Sequence, residues 1–184
     1  MLKKLVITLV LLLAIPLLVA LLVKQQYKVQ AEVVINQPQL LVFDYIRFVS
    51  NQDNFSVWAA LDPNMQKFSD GVDGTVGYIS RWHSENPDVG SGEQQITAIT
   101  EGERIDLQLT FHQPFSSVSH AYMTTAALSD GQTLVRWHFA GQLPYPVNLM
   151  LLVVDVEGMI AEDLQQGLEN LKLILEMPES EAEG

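Results

Sequence analysis

The sequence contains no cysteine. Disulfides, thiolate nucleophiles and cysteine-based zinc sites are therefore excluded. There is also no P-loop and no GxGxxG segment, and the His residues follow no metal-ligand spacing, so we expect neither a cofactor nor a metal. These residues are His83, His112, His120 and His138.

Positive charge is scarce after residue 28. Only six Lys and Arg residues follow, against all 22 acidic residues of the chain, which gives this part a net charge of −16. Such a surface repels phosphate groups, so no nucleic-acid partner is expected. It would also keep the domain away from anionic headgroups, except through a tether.

The amino end is rich in apolar side chains instead. Nineteen residues from Leu5 to Val23 carry no charge and are broken only by Thr8 and Pro16. As a helix they would extend roughly 28 Å, close to the roughly 30 Å hydrocarbon thickness of a bilayer. We therefore predict a single-pass transmembrane anchor within residues 1–27.

A cleaved secretory signal is the competing interpretation, because Lys3 and Lys4 would serve as its positive start. The apolar run is longer than the roughly 7–15 residues usual for a signal, and the best cleavage pattern, Val29-Gln30-Ala31, lies well beyond it. The uncleaved anchor is favoured. The predicted location is the cell membrane. The short amino-terminal tail favours an orientation with this tail in the cytoplasm and the domain outside it, whereas the Lys residues do not decide the orientation because they flank both ends of the run.

Residues 28–176 suffice for one domain with one core. Alternation predicts a strand over 27–35, and an amphipathic helix follows Pro38, with a helical turn near 51–58. Further strands are predicted at about 66–70, 75–83, 92–100, 103–112, 118–129 and 132–141. A long helix is predicted over 149–176, and residues 177–184 are typical of a disordered acidic tail.

Tight turns such as Asp70-Gly71, Glu101-Gly102 and Asp130-Gly131 would join these strands into an antiparallel meander. The predicted fold class is α+β: a transmembrane helix, then a curved antiparallel sheet wrapped around a long carboxy-terminal helix. Gly158 and Gly167 would let that helix bend or approach the sheet closely. The space between sheet and helix is the predicted functional site.

Several short sequence motifs at turn, core and helix-packing positions characterise the domain. They are Pro38 to Tyr45 with its Val-Phe-Asp-Tyr core, Asn54-Phe55 with Trp58, Leu61-Asp-Pro-Asn-Met65, Gly74-Thr-Val-Gly77, Arg81-Trp82, Val89-Gly-Ser-Gly92, Glu103-Arg-Ile105, Phe111 with Pro114-Phe115, Thr133 with Val135 and Trp137, and Gly167-Leu-Glu-Asn-Leu-Lys172. In these motifs the domain resembles the superfamily of polyketide cyclases, plant pathogenesis-related allergens and steroidogenic lipid-transfer domains. It is most similar to the membrane-anchored bacterial members of this SRPBCC (START-like) group.

The resemblance implies the helix-grip fold over about residues 28–176. It also implies an elongated apolar cavity between helix and sheet, which in various members accepts sterols, lipids or aromatic polyketides. It implies no catalytic residue, because catalytic members differ in their pocket residues.

Strand alternation selects candidate ligand-binding residues. On 118–129, His120 and Tyr122 share a face that is predicted to look into the cavity, where they could orient a ligand carbonyl or transfer a proton. A purely structural role for both is the alternative. The other candidates are Tyr78, Trp82 and Gln94 as polar handles, and Leu164 and Leu168 on the long helix. Arg81, Arg136 and His138 are predicted on the opposite, solvated side of the sheet.

Three functions are compatible with these features. The favoured one is a membrane-tethered domain that binds or carries a hydrophobic or amphipathic small molecule, lipid-like or polyketide-like, without chemistry. The enzymatic alternative is a metal-free cyclase or dehydratase activity with His120 and Tyr122 as acid and base. In the third, the acidic surface recruits a basic protein partner.

Overall fold

The computed structural model describes residues 2–114, 116–129 and 131–177, without the side chains of residues 2, 5–7, 9–11 and 13. In chain order the elements are α1 (Leu2–Ala20), β1 (Gln26–Ile35), α2 (Gln39–Ile46), a first 3₁₀ helix (Val49–Asn54), α3 (Val57–Leu61), β2 (Gln66–Asp70), β3 (Ile79–His83), β4 (Ser91–Thr100), β5 (Arg104–Gln113), β6 (Ser117–Ser129), β7 (Gln132–Gln142), a second 3₁₀ helix (Val147–Leu152) and α4 (Val156–Glu176).

The described strands form one antiparallel sheet in the order β1-β7-β6-β5-β4-β3-β2. Sequential strands from β2 to β7 are neighbours, and β1 closes the other edge by pairing with β7. Register shifts lie between Ile96 and Ala98 on β4 and between Ala127 and Ser129 on β6. Shifts of this kind bend strands and increase their twist. The predicted antiparallel sheet with a long carboxy-terminal helix is confirmed.

Helix α4 packs on the concave face of the sheet, mainly against β1. Its Leu164, Leu168 and Leu171 are almost completely buried, and each contributes about 1.5–3 kcal/mol through removal of apolar surface from water. Gly167 lies over Trp137, and a Cβ at this glycine would be 3.1 Å from the indole ring. The close approach that the sequence suggested for Gly167 therefore occurs.

Two predicted boundaries are wrong. The long helix begins at Val156, not near residue 149, because the Asp155 carboxylate accepts a hydrogen bond of 2.9 Å from the Gly158 N–H and caps the first turn. The predicted strand 75–83 is extended only from Ile79, since Gly74 and Gly77 adopt φ values of 75° and 96° and form turns.

The structure does not confirm the predicted membrane anchor. Among the residues that it describes, no helix has the length and apolarity needed to cross a bilayer. Part of the predicted anchor, Leu5–Val23, consists of residues whose side chains are not described. The predicted acidic tail lies outside the described residues from 178 onward.

The second 3₁₀ helix holds the end of α1. Asn148 is completely buried, and its Nδ2 donates to the carbonyl oxygens of Ala20 at 2.7 Å and Val23 at 3.0 Å. The Leu143 N–H donates to the Gln25 carbonyl at 2.8 Å just beyond. The bond to Ala20 satisfies one of the carbonyl groups that every helix end leaves without an intrahelical partner, and the other two bonds fix the segment that follows α1.

The first 3₁₀ helix is capped from a distant loop. The Asp73 carboxylate accepts hydrogen bonds from the N–H groups of Val49 at 2.9 Å and Ser50 at 3.0 Å, and also from Gly74 at 2.7 Å. A carboxylate here also complements the partial positive charge of the helix start. Asp73 thus fixes the segment that lies over the far half of the sheet.

We predict that Asp73→Ala lowers the free energy of unfolding by about 1–2 kcal/mol, because the first two N–H groups of the 3₁₀ helix lose their acceptor. Urea denaturation followed by circular dichroism measures this change. Asp70→Ala is the matched control, since Asp70 is exposed on the neighbouring strand β2. Equal stability of the two variants would contradict the capping role.

Candidate ligand-binding site

A cavity of about 380 Å³ lies between the concave face of the sheet and the helices that cover it. Its floor is formed by β3 to β7, and its roof by the first 3₁₀ helix, α3 and the first half of α4. The wall is mainly apolar. This volume falls within the roughly 300–1,000 Å³ of small-molecule sites.

Aromatic rings supply much of the apolar wall. The chain has three tryptophans, and all of them line the cavity. Trp58 meets Trp137 edge-on at 6.3 Å between ring centroids, and Trp82 meets Phe111 in the same manner at 5.8 Å. Edge-to-face pairs of this kind add about 0.5–1.5 kcal/mol beyond area burial. They therefore hold flat apolar surfaces in place around the hollow.

Trp82 can lie flat across β4 only because residue 92 is a glycine. A Cβ at Gly92 would be 2.6 Å from the Trp82 ring and 2.6 Å from the Thr110 carbonyl oxygen. Both distances are below any real contact of a Cβ atom. Gly92 therefore makes room for the ring that closes this end of the cavity.

Polar groups interrupt the wall at few points. Gln52 and Gln94 both line the cavity, and the Gln94 Nε2 donates to the Gln52 Oε1 at 3.2 Å. Ser119 also lines it and is buried. Such scattered polar groups on an apolar wall are what fixes the orientation of a small ligand.

Charged side chains at the cavity are paired or exposed. The Lys67 Nζ lies 2.8 Å from the Asp53 Oδ2, and Asp88, in the loop between β3 and β4, is exposed to solvent. Arg81 alternates with Ser80 and Trp82 on β3, so its side chain points to the convex face, where its Nε lies 3.1 Å from the Glu93 Oε2. Tyr27 closes the cavity on the β1 side, and burial, followed by the charge of Glu157, raises its pKa above the ordinary value. Its phenol therefore remains a neutral hydrogen-bonding group at physiological pH.

Of the sequence-predicted residues, Trp82, Gln94 and Leu164 lie in the cavity wall. Tyr78 and Leu168 are buried in the core and are not part of the lining. Contact with a ligand stays a prediction for the first three, and for Tyr78 and Leu168 the structure indicates packing.

The predicted orientation of β6 is wrong. Ser119, Ala121 and Met123 are buried on the concave face, so His120 and Tyr122 point to the convex face. The sequence allowed this error because the two alternating sets of β6 are almost equally apolar, and only pairing with β5 and β7 decides between them.

On the convex face Tyr122 lies between two cationic or titratable partners. Its ring stacks on His138 with centroids 4.1 Å apart, and the Arg104 guanidinium carbon is 3.7 Å from the Tyr122 centroid. Arg104 is held by two hydrogen bonds to Asp106, of 2.8 and 2.5 Å. Burial, followed by the charges of Arg104 and Arg136, lowers the pKa of His138 below the ordinary histidine value. This stack is a structural cluster away from the cavity.

The structure also adds polar lining residues that sequence reasoning missed. They are Gln52, Ser56, Ser80, Ser117 and Ser119. The correct orientation of β6 would have selected Ser119. No pattern singles out Gln52, because it lies in a polar helical turn whose position depends on the distant Asp73.

Similar proteins agree with this architecture. The chain matches the family described as polyketide cyclase / dehydrase and lipid transport over residues 26–176. Because this match covers most of the chain, the chain belongs to this family, and the superfamily that the sequence motifs indicated is confirmed. No curated protein sequence matches the chain.

Solved structures share the fold at low sequence identity. Truncated norcoclaurine synthase from Thalictrum flavum has a TM-score of 0.59 at 10% identity, with 83% of this chain and 96% of that chain covered. The Aha1 dimer from Colwellia psychrerythraea has a TM-score of 0.57 at 13% identity, with 83% and 98% covered. The protein Ara h 8.0201 has a TM-score of 0.55 at 14% identity, with 82% and 97% covered.

We predict that Gly92→Ala displaces the Trp82 ring, lowers the free energy of unfolding by about 1–3 kcal/mol and shifts tryptophan emission to longer wavelength. Fluorescence-monitored urea denaturation measures both effects. Gly131→Ala is the control, because a Cβ at Gly131 meets no atom within 4 Å. An unchanged emission spectrum in Gly92→Ala would refute the role assigned to this glycine.

Proposed function

We propose that this protein binds a hydrophobic or amphipathic small molecule in the cavity beneath α4. The observation that carries the proposal is the hollow itself: about 380 Å³ with a mainly apolar, aromatic wall and a few polar points. Burial of apolar ligand surface there would supply the main driving force, at roughly 25 cal/mol per Å². Membership of a family described by polyketide cyclase / dehydrase and lipid transport agrees with such a ligand.

Binding without chemistry is the favoured form of this function. The enzymatic alternative assigned acid and base roles to His120 and Tyr122, and both lie on the convex face, outside the cavity lining. Proton transfer needs a side chain within hydrogen-bond reach of the substrate. We therefore do not retain that pair, and no residue-level observation favours the acidic interaction module.

We further propose that the ligand is taken up at a membrane to which α1 tethers the domain. The uncharged run Leu5–Val23 supports the tether. Asn148 holds the end of α1, and the next residues lead to Tyr27 and Leu143 in the cavity wall. A helix fixed in this way would keep the cavity close to the bilayer, where a lipid-soluble ligand has a high local concentration.

We predict that Ala121→Phe weakens the binding of pyrene at least about tenfold, because the added ring would occupy part of the cavity and clash with the ligand. The full chain is titrated in lipid nanodiscs, with energy transfer from tryptophan to pyrene as the measurement. Since all three tryptophans line the cavity, transfer from them reports pyrene near the site, and its loss in Ala121→Phe separates pyrene in the cavity from pyrene dissolved in the bilayer.

His120→Phe is the matched control for this experiment. It introduces the same ring one position earlier on β6, on the exposed convex face, and should leave pyrene binding unchanged. Equal binding by both variants, with unchanged circular dichroism, would place the probe elsewhere and remove the proposal.

Two measurements test the tether. We predict that the chain stays in the membrane fraction after an alkaline carbonate wash, and that its mass, measured by mass spectrometry of the intact chain, includes the amino-terminal residues. The double substitution Leu9→Lys and Leu12→Lys should release it, since each charge at a helix centre costs about 2.5–3.5 kcal/mol on insertion. Leu22→Lys, at the end of the run, is the control and should stay bound.

The side of the membrane on which the domain lies can be determined in cells that express the chain. Because the chain has no cysteine, Gly131→Cys provides a single exposed thiol. A membrane-impermeant maleimide should label it in intact cells. Labelling only after lysis would place the domain in the cytoplasm.

A further inference from the structure

A row that carries three polar side chains and is interrupted by Leu109 crosses the concave face of the sheet. Ser80 on β3 pairs with Gln94 on β4, Gln94 pairs with Leu109 on β5, and Leu109 pairs with Ser119 on β6. The flanking rows are apolar over these strands apart from Ser117: Trp82, Gly92, Phe111 and Ser117 on one side, and Ile96, Leu107 and Ala121 on the other. On β3 to β5 the polar side chains are therefore confined to one level of the cavity.

Gln52 meets this row from the roof. It is only 8% exposed, and its Oε1 accepts the 3.2 Å hydrogen bond from the Gln94 Nε2. The bond leaves the Gln52 NH₂ group and the Gln94 carbonyl oxygen without another protein partner among the described residues. Exchanging the O and N atoms of both amides would still leave one donor group and one acceptor. The amide pair thus offers a donor and an acceptor side by side.

The charged groups on the described floor and roof are paired, since Lys67 lies against Asp53. Asp88, in the loop between β3 and β4, also lines the cavity and is in no salt bridge, but it is exposed to solvent and outside the row of the amide pair. A charged ligand group at the amide pair would lose its hydration without gaining a counterion, which is unfavourable. A neutral group that forms both hydrogen bonds has no such cost.

We propose that Gln52 and Gln94 form a subsite for an uncharged head group that both donates and accepts a hydrogen bond. A carboxamide, or a hydroxyl beside a carbonyl, has this chemistry, and a flat apolar body would lie along the rings of Trp82 and Trp137. The inference rests on the proposed function and adds the polarity and charge of the ligand to it.

Three probes with one shared body test this subsite: pyrene, pyrenecarboxamide and pyrenecarboxylate. Each is titrated into the full chain in nanodiscs at neutral pH, with tryptophan-to-pyrene energy transfer as the readout and empty nanodiscs as background. We expect the carboxamide to bind about tenfold more tightly than pyrene and the carboxylate, as two additional hydrogen bonds would allow.

Gln94→Leu should abolish the advantage of the carboxamide over pyrene, so that the ratio of their dissociation constants falls from about ten to about one. Gln95→Leu is the matched control, because Gln95 is the next residue of β4 and lies outside the cavity lining. Gln52→Leu provides a second variant on the roof, with the same expected loss, should Gln94→Leu fail to fold.

The outcomes separate the two proposals. If pyrene binds and the carboxamide gains nothing, or if the carboxylate binds as tightly as the carboxamide, the subsite is refuted and the apolar cavity site stands. If none of the three probes binds the wild-type chain, the proposed function fails, and the subsite with it.

Discussion

The architecture depends on a mismatch of width between one helix and a seven-stranded sheet. Seven strands spaced by about 4.8 Å span about 29 Å, whereas a helix with its side chains is about 10–12 Å across. Helix α4 therefore covers only the side of the sheet near β1, where Leu164, Leu168 and Leu171 are buried. The remaining concave surface needs another cover, and the cavity lies where that cover is incomplete.

The cover over β3 to β5 is short and depends on distant contacts. It consists of the first 3₁₀ helix and α3, and Asp73 holds the start of the former through two N–H groups. Asn170 on α4 donates to the Phe55 carbonyl at 3.1 Å and connects this roof to the main helix. A hollow persists because short segments, unlike a second long helix, carry too few side chains to fill the space below them.

The two faces of the sheet separate two kinds of chemistry. The concave face is apolar with one polar row, which suits a neutral guest. The convex face carries the charged and titratable pairs, such as Arg136 with Glu32 at 2.9 Å and the stack of Tyr122 on His138. Successive residues of a strand alternate between the two faces. A shift of one residue along the strand therefore moves a side chain from the apolar concave face to the charged convex face, or the reverse.

This alternation also explains how much the sequence could predict. The sequence predicts which face of strand 103–112 points inward, because Ile105, Leu107, Leu109 and Phe111 alternate with polar residues and form the one apolar face. Strand β6 has apolar residues in both sets, so the inward direction of Ser119 and Ala121 follows only from pairing with its neighbours. Gln52 and the Asp73 cap depend on contacts between segments more than 20 residues apart, which no local pattern reveals.

The central claim is that the space between the sheet and its helical roof is a true hollow, and xenon under pressure tests it most directly, because this gas enters dry apolar cavities. Diffraction from xenon-pressurised crystals of the protein should show bound xenon between the strands β4 to β6 and the roof formed by the first 3₁₀ helix, α3 and α4, next to Leu107 and Leu109. Density for the rings of Trp82 and Trp137 filling that space, with xenon absent from it, would contradict the account.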